Sequence, residues 1–367
     1  IYQNNKNSTR YNQVLTMVGA SLFSSAGIAE TYFEEVGINI VAANELVQER
    51  ADLYQALYPK SKMIAGNILD ENVFKTLVKN TPKKLDFLIA SPPCQGMSVA
   101  GKNRNIEQML NDERNYLVFK IIDFIKLKSP DFVLIENVPT FFKMILPYEN
   151  QHLKVTEILD LLFGKEYNIE ANVYDASEYG VAQRRTRAII KLYRRGKKWG
   201  QPIKSEKQIT VEEKIGFLPS IEAGQNSNIK WHFARKHSDS HVKWMKHTPT
   251  GKTAFENEKH FPVKPNGEKI KSYNTSYRRI NWNEPAPTIT MRNDAISSQL
   301  NVHPGRKLKN GTYSDARVLT PLELILLSSL PQDWKIPDNT PELLIRKCIG
   351  ECIPPLLIKS IVAQINQ

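Results

Sequence analysis

Cysteine is scarce in this chain: its 367 residues contain only Cys94, Cys348 and Cys352. A disulfide-stapled secreted domain is excluded, and a reducing cytoplasm is the expected compartment. No apolar run is long enough to span a bilayer, so no membrane partner is expected. The polar opening stretch IYQNNKNSTRYNQ lacks the apolar segment of a secretory signal. Repeats and low-complexity tracts are missing as well. Metal-ligand sets are thin. Cys348 and Cys352 have no further cysteines to complete a zinc site, and packing is their expected role. His237 and His241, four apart, have no evident third ligand, so no metal is expected. Acidic residues are outnumbered, 38 against 50 basic ones, for a net charge of +12. That balance suits a polyanionic partner such as nucleic acid, although a basic but ordinary enzyme has the same charge.

What is present is organised in two styles. The first half alternates β-branched runs with helical periodicity. QVLTMVGASLF, GINIVAANE, KKLDFLIASPP and SPDFVLIENVP read as strands bounded by turn formers. Residues 46–58 and 115–128 show helical spacing, and the second run stops before Ser129-Pro130, as a residue preceding proline should. Strands alternating with helices predict an α/β fold, a parallel doubly wound sheet with helices on both faces. From about Arg194 to Arg278 the chain turns polar, basic and aperiodic. Five of its seven histidines and three of its five tryptophans fall between Trp199 and His260. Trp231, Phe233, Trp244, Phe255 and Phe261 give this stretch something to bury, which argues against disorder. The expected division is a catalytic domain of residues 1–193 and 320–367 and a recognition domain of residues 194–319.

In an open parallel sheet, ligands bind beyond the carboxyl ends of the strands. The polar residues of interest fall there. Strand one runs into the small-residue turn FSSAGIAE. Glu45 follows about twenty residues later, the spacing at which an acidic residue grips ribose hydroxyls in nucleotide-binding βαβ units. The alternative is a helix cap and an exposed carboxylate. Cys94 follows two prolines and precedes the polar loop QGMSVAGKNRN, an unusual setting for a cysteine, since most are buried as small hydrophobes. Lys102 and Arg104 nearby favour its thiolate. Glu136 ends the apolar strand FVLIEN, where it can hydrogen-bond a ring nitrogen or merely cap the next helix. Arg185 and Arg187 in QRRTR point the same way on a strand. They suit an anion or a carbonyl oxygen, or a solvated basic face.

Taken in order, these segments resemble the C5-cytosine DNA methyltransferase family of bacterial restriction-modification type. SLFSSAGIAE, AANE and AGNILD look like its cofactor motifs, and SPPCQGMSVAGKNR like its Pro-Cys-Gln motif and mobile loop. ENVP, YGVAQRRTR, RRINWNEPAPTIT, ARVLTPLELILLSSLP and IGECIPPLL follow in family order. The resemblance covers nearly the whole chain except the basic middle module. It implies a Rossmann-like sheet that uses S-adenosylmethionine, releases S-adenosylhomocysteine and acts on double-stranded DNA. By that resemblance Cys94 is the nucleophile, Glu136 holds the cytosine ring, and Arg185 and Arg187 hold its carbonyl oxygen and nearby phosphate. Phe23, Ser25, Ala26, Gly27, Glu45, Leu46, Asn67, Ile68, Pro92, Glu351 and Cys352 are implied at the cofactor. Gln95, Ser98, Lys102, Arg104, Arg279, Thr288 and Thr290 are implied at the DNA. A monomer, and a restriction endonuclease encoded nearby, are also expected.

Four positions depart from the family pattern, all on the cofactor side. Ser25 stands where glycine is usual, Asn67 where aspartate is usual, Glu351 replaces asparagine, and Cys352 replaces a smaller residue. Three other readings compete. An amino-group methyltransferase using Ser-Pro-Pro needs an aromatic at position 94 and does not predict ENVP or QRRTR. A tRNA cytosine-5 methyltransferase of the same family carries a Cys-Phe-Thr segment that is absent here. A catalytically dead DNA-binding relative is disfavoured by the intact Cys94, Glu136 and Arg187.

Overall fold

A computed structural model describes residues 16–93 and 113–366. The first part is a seven-stranded sheet. In chain order its strands are β1 (Met17–Leu22), β2 (Ile38–Glu45), β3 (Lys62–Ala65), β4 (Phe87–Ala90), β5 (Phe132–Asn137), β8 (Tyr167–Asp175) and β9 (Thr186–Arg194). A separate hairpin is made by β6 (Ile145–Tyr148) and β7 (Gln151–Lys154). The spatial order is β3-β2-β1-β4-β5-β9-β8. The strand order reverses beside β1, between its partners β2 and β4, and the crevice at such a reversal is where open α/β sheets bind ligands.

The expectation of an all-parallel sheet needs one correction. Strands β1 to β5 pair in parallel, but β9 is antiparallel to both β5 and β8. The reason is local. β8 and β9 are joined by the ten residues 176–185 with no crossover helix over the sheet, and a parallel return takes a longer crossover.

Burial follows the two-residue period of the strands. Leu88, Ala90, Val133 and Ile135 face α2 (Glu71–Lys79), α3 (Leu117–Lys128) and α4 (Val155–Phe163). Phe87, Ile89, Phe132 and Leu134 face the other way, against Tyr54 of α1 (Gln48–Leu57) and Leu357, Ile358 and Ile361 of α9 (Pro355–Val362). Both faces are covered, which is why β4 and β5 read as unbroken apolar runs rather than alternating ones. α3 ends where expected, with Ser129 in the left-handed conformation just before Pro130.

Residues 194–319 contain little regular structure. α5 (Val211–Ile215) and α6 (Asp239–Lys246) are short, and the rest is joined by isolated bridges. The module is nonetheless folded. Trp244, Met245, Ala254, Tyr277, Ile296, Val302, Ala316 and Val318 form its own core. A further cluster joins it to the sheet: α7 (Pro321–Leu327) and α8 (Glu342–Glu351) pack with Val211, Ile215, Ala286 and Ile289, and with Ala26, Ile28 and Leu53.

Candidate active site

Two adjacent strand ends build the centre of the site. β4 stops at Ala90, and Ser91-Pro92-Pro93 leads into Cys94. Cys94 itself lies outside the described residues, as do Gln95, Ser98, Lys102 and Arg104. β5 ends one strand over, at Glu136 and Asn137. The Asn137 amide donates to the Pro92 carbonyl at 3.0 Å, and its oxygen accepts from the Val138 N–H at 2.8 Å. A single side chain thus clamps the segment that precedes Cys94 onto the neighbouring strand. Sequence reasoning assigned Asn137 no role. Its place directly after Glu136 was the available signal.

Glu136 and Arg187 meet across the antiparallel β5–β9 pair. The Arg187 Nε donates to Glu136 Oε1 at 2.8 Å, and both residues are about 8 % exposed. The pair is therefore largely shielded from solvent. Arg187 also donates to the Thr186 carbonyl at 2.8 Å, which fixes the guanidinium plane.

Arg185 is placed differently from Arg187. It is 2 % exposed and donates to the carbonyls of Ile289 at 2.5 Å and Gly350 at 2.8 Å. It ties together three segments that the sequence keeps far apart. Gln183 supports the same junction: its oxygen accepts from the Ile289 N–H at 3.1 Å and its amide donates to the Ser328 hydroxyl at 3.2 Å. Gly350 is required there, because a Cβ on it would collide with the Thr290 carbonyl.

Of the residues expected at the cofactor, Phe23 to Gly27, Glu45 and Leu46 lie at the ends of β1 and β2. Phe23 and Ser25 have positive φ, and Gly27 is left-handed with a backbone that only glycine tolerates against Tyr54 and Tyr58. Glu45 accepts from the Ser25 N–H at 2.9 Å and the Val47 N–H at 2.8 Å, one bond to each oxygen. Each carboxylate oxygen keeps a lone pair for a ribose hydroxyl. Leu46 and Val47 beside it are exposed apolar side chains, 64 % and 38 %, a shelf suited to an adenine ring. Asn67 is exposed, and its oxygen accepts from the Leu69 N–H at 3.0 Å; Ile68 and Pro92 are buried. The last motif arrives on the same side. The Ser25 hydroxyl and the Cys348 thiol face each other, and Glu351 pairs with Arg50 at 2.7 Å. The Cys352 thiol donates to the Ile349 carbonyl at 3.1 Å, and burial pushes its pKa up to about 11, so it is a protonated packing group. This donor and acceptor set fits S-adenosylmethionine.

Three DNA-side expectations can be located. Thr288 and Thr290 are exposed, and the Thr288 hydroxyl donates to the Arg184 carbonyl at 2.8 Å. Arg279, expected at the DNA, is fully buried. Its guanidinium donates to the carbonyls of Met245, His303 and Asp315 at 2.8–3.3 Å. The Met245 and Asp315 carbonyls also accept from the backbone N–H groups of Thr248 and Arg317, and the buried cation fills their second acceptor position and satisfies that of His303. His237 precedes α6 while His241 lies within it, so they do not share a helix face. Among the described residues no group of three or more potential ligands could hold a metal.

Known proteins point the same way. The C-5 cytosine-specific DNA methylase family matches residues 17–367. The chain is 57 % identical over 350 residues to the Type II methyltransferase M1.HgaI of Avibacterium volantium, covering 95 % of this chain and 98 % of that protein. It is 26 % identical over 351 residues to the Type II methyltransferase M1.HphI of Haemophilus parahaemolyticus, with 95 % and 86 % covered. Among solved structures, a putative DNA modification methyltransferase encoded within an E. coli prophage superposes with a TM-score of 0.69 at 18 % identity, covering 95 % of this chain and 98 % of the other. The Entamoeba histolytica methyltransferase EhMeth gives a TM-score of 0.62 at 16 % identity, with 94 % and 96 % covered.

Proposed function

The chain belongs to the C-5 cytosine-specific DNA methylase family, and from that premise we propose how its residues carry the reaction. It is a DNA (cytosine-5) methyltransferase. Carbon 5 of cytosine is a weak nucleophile. Addition of the Cys94 thiolate to C6 forms an S–C6 bond and moves the ring electrons toward N3 and O2, which makes C5 enamine-like. Glu136 would hold N3 and the exocyclic amine as that charge develops. Arg187 orients Glu136 and offers its guanidinium to O2. Phe23 to Gly27, Glu45 and Leu46 would hold S-adenosylmethionine, which would supply an electrophilic methyl group to C5, its sulfonium leaving as the thioether of S-adenosylhomocysteine. A base then takes the C5 proton. The C5–H electrons rebuild the C5=C6 bond, and the S–C6 bond breaks to release Cys94.

A duplex base cannot react inside the stack, so the cytosine must be flipped out. The chemistry calls for no metal. The basic middle module would grip phosphates and base edges of double-stranded DNA. The high identity to a Type II methyltransferase supports a place in a restriction-modification system, with a cognate endonuclease, a monomeric enzyme and a cytoplasmic setting as the accompanying expectations. No helix among the described residues is long and apolar enough to cross a membrane.

The observation that carries this reading is the shielded Glu136–Arg187 pair, one strand from the segment that leads into Cys94. A duplex with 5-fluorocytosine at the target position tests it. Fluorine cannot leave as a proton, so the adduct should be trapped by the wild type and not by Cys94→Ser. Methyl found on N4 instead of C5 would sink the mechanism. Bisulfite sequencing of DNA from expressing cells would also read out the recognition sequence.

A further inference from the structure

The cofactor edge contains an ion pair that neither motif spacing nor chemistry requires. Arg50 lies in the first turn of α1, just after the Glu45–Val47 contact. Glu351 is the last residue of α8. Their side chains meet at 2.7 Å and are only about one-fifth exposed. Around them α8 is seated on the cofactor turn. Leu344, Ile345, Cys348 and Ile349 share an apolar cluster with Ala26, Ile28 and Leu53. The Ser25 hydroxyl is buried against the same helix, facing the Cys348 thiol. At the next residue back, the Gly350 carbonyl receives Arg185. The end of α8 is thus held from two sides: by Arg50 at the cofactor edge and by Arg185 at the cytosine edge.

We infer that Arg50 and Glu351 form a positioning strap that sets the affinity for S-adenosylmethionine, an inference that rests on the cofactor reading above. The physical argument concerns placement. α8 makes no backbone ladder with the sheet, so side-chain contacts alone fix how far its end stands from α1 and the Ser25–Gly27 turn. An amide at position 351 would leave Arg50 half-buried without its counter-charge. The acidic residue at 351 and the basic residue at 50 are therefore one device, and Glu351 acts through Arg50 rather than on the reacting atoms.

Calorimetric titration of S-adenosylmethionine into the full chain tests this. Arg50→Gln and Glu351→Gln should each weaken binding about tenfold, the size expected for breaking a partly buried pair. The double variant should lose no more than either single one. The swapped pair, Arg50→Glu with Glu351→Arg, should recover part of the loss. In steady-state kinetics the loss should appear in KM for the cofactor. Unliganded melting temperatures distinguish a misfolded variant from a loosened edge. Single variants that bind like the wild type, losses that multiply in the double variant, or a swap no better than the single changes would each overturn the strap. A wild-type chain that binds no S-adenosylmethionine would instead overturn the cofactor reading, and the strap with it.

Discussion

The sheet and the irregular module of residues 194–319 bury different chemistry. The sheet's interior is apolar on both faces, with Phe87, Leu88, Ile89, Phe132, Val133, Leu134 and Ile135 all within 2 % of complete burial. Its backbone groups are satisfied by the strand ladders. The module has a small apolar core and, at its junction with α7, a buried ionic cluster. Arg317 donates to Asp315 at 2.9 Å, to both oxygens of Glu323 at 2.8 and 2.9 Å, and to the carbonyls of Ile221 and Val318. Arg279, fully buried beside it, crosslinks three further carbonyls. The two arginines and the two carboxylates cancel in charge. A fold with few ladders must satisfy its carbonyls in another way, and guanidinium groups with five donors each do so here. The difference teaches that a basic composition in an irregular module is not all surface.

The largest expected effect comes from breaking that cluster. Arg317→Met leaves Asp315 and Glu323 buried without their guanidinium partner and should cost about 3–5 kcal/mol in chemical denaturation. A cost no greater than that of a conservative sheet substitution would break the comparison.

Acidification should separate the two regions by sign. Burial pushes Glu30, just after the Ser25–Gly27 turn, up to about 7, with the Tyr54 hydroxyl donating to it at 2.6 Å. Its folded value lies above the ordinary carboxylate range. Its contribution is therefore full below that range and is lost as pH rises toward 7 and beyond, by about 3 kcal/mol in all. Glu30→Gln should flatten that window in a pH series of melting curves. Burial, reinforced by Arg317, pushes His303 down, and burial takes His237 down to about 4. The His303 Nδ1 accepts from the Gly305 N–H, so the ring is neutral. Here stability is present above the ordinary histidine range and is lost as pH falls toward 4. Hydrogen exchange at pH 5 against pH 7 should therefore show the module loosening while the Glu30 region tightens. A change of the same sign in both regions would contradict this.

Asn137→Ala removes the clamp on Pro92. A lost hydrogen bond of about 1–1.5 kcal/mol should appear mainly in turnover, as roughly a tenfold fall, with little change in melting temperature. Smallest is Ile135→Val in the sheet core, about 1 kcal/mol, which calibrates an ordinary apolar deletion against Arg317→Met.

Much of the sheet was legible because period and length reveal strands buried on both faces. The turn at Gly27, Glu45 at the end of β2 and Glu136 at the end of β5 were legible for the same reason, since the strand ends mark the crevice. Arg279 was misjudged because an arginine in a basic, aperiodic stretch looks the same whether it meets phosphate or carbonyl. Arg185 was expected at the cytosine carbonyl and instead ties Ile289 to Gly350. Asn137 and Arg50 were passed over because their partners, Pro92 and Glu351, lie 45 and about 300 residues away.

Local order therefore belongs to the amino-acid sequence: which runs form strands, where helices stop, and which motifs follow one another. Such features rest on neighbours a few residues apart, whose spacing is written in the chain. Tertiary structure alone decided that β9 runs antiparallel beside β5, setting Arg187 against Glu136. It alone decided which arginines are buried and that α8 is held between Arg50 and Arg185. Those outcomes depend on desolvation and on partners distant in the chain, and a charged side chain's own identity carries no record of either.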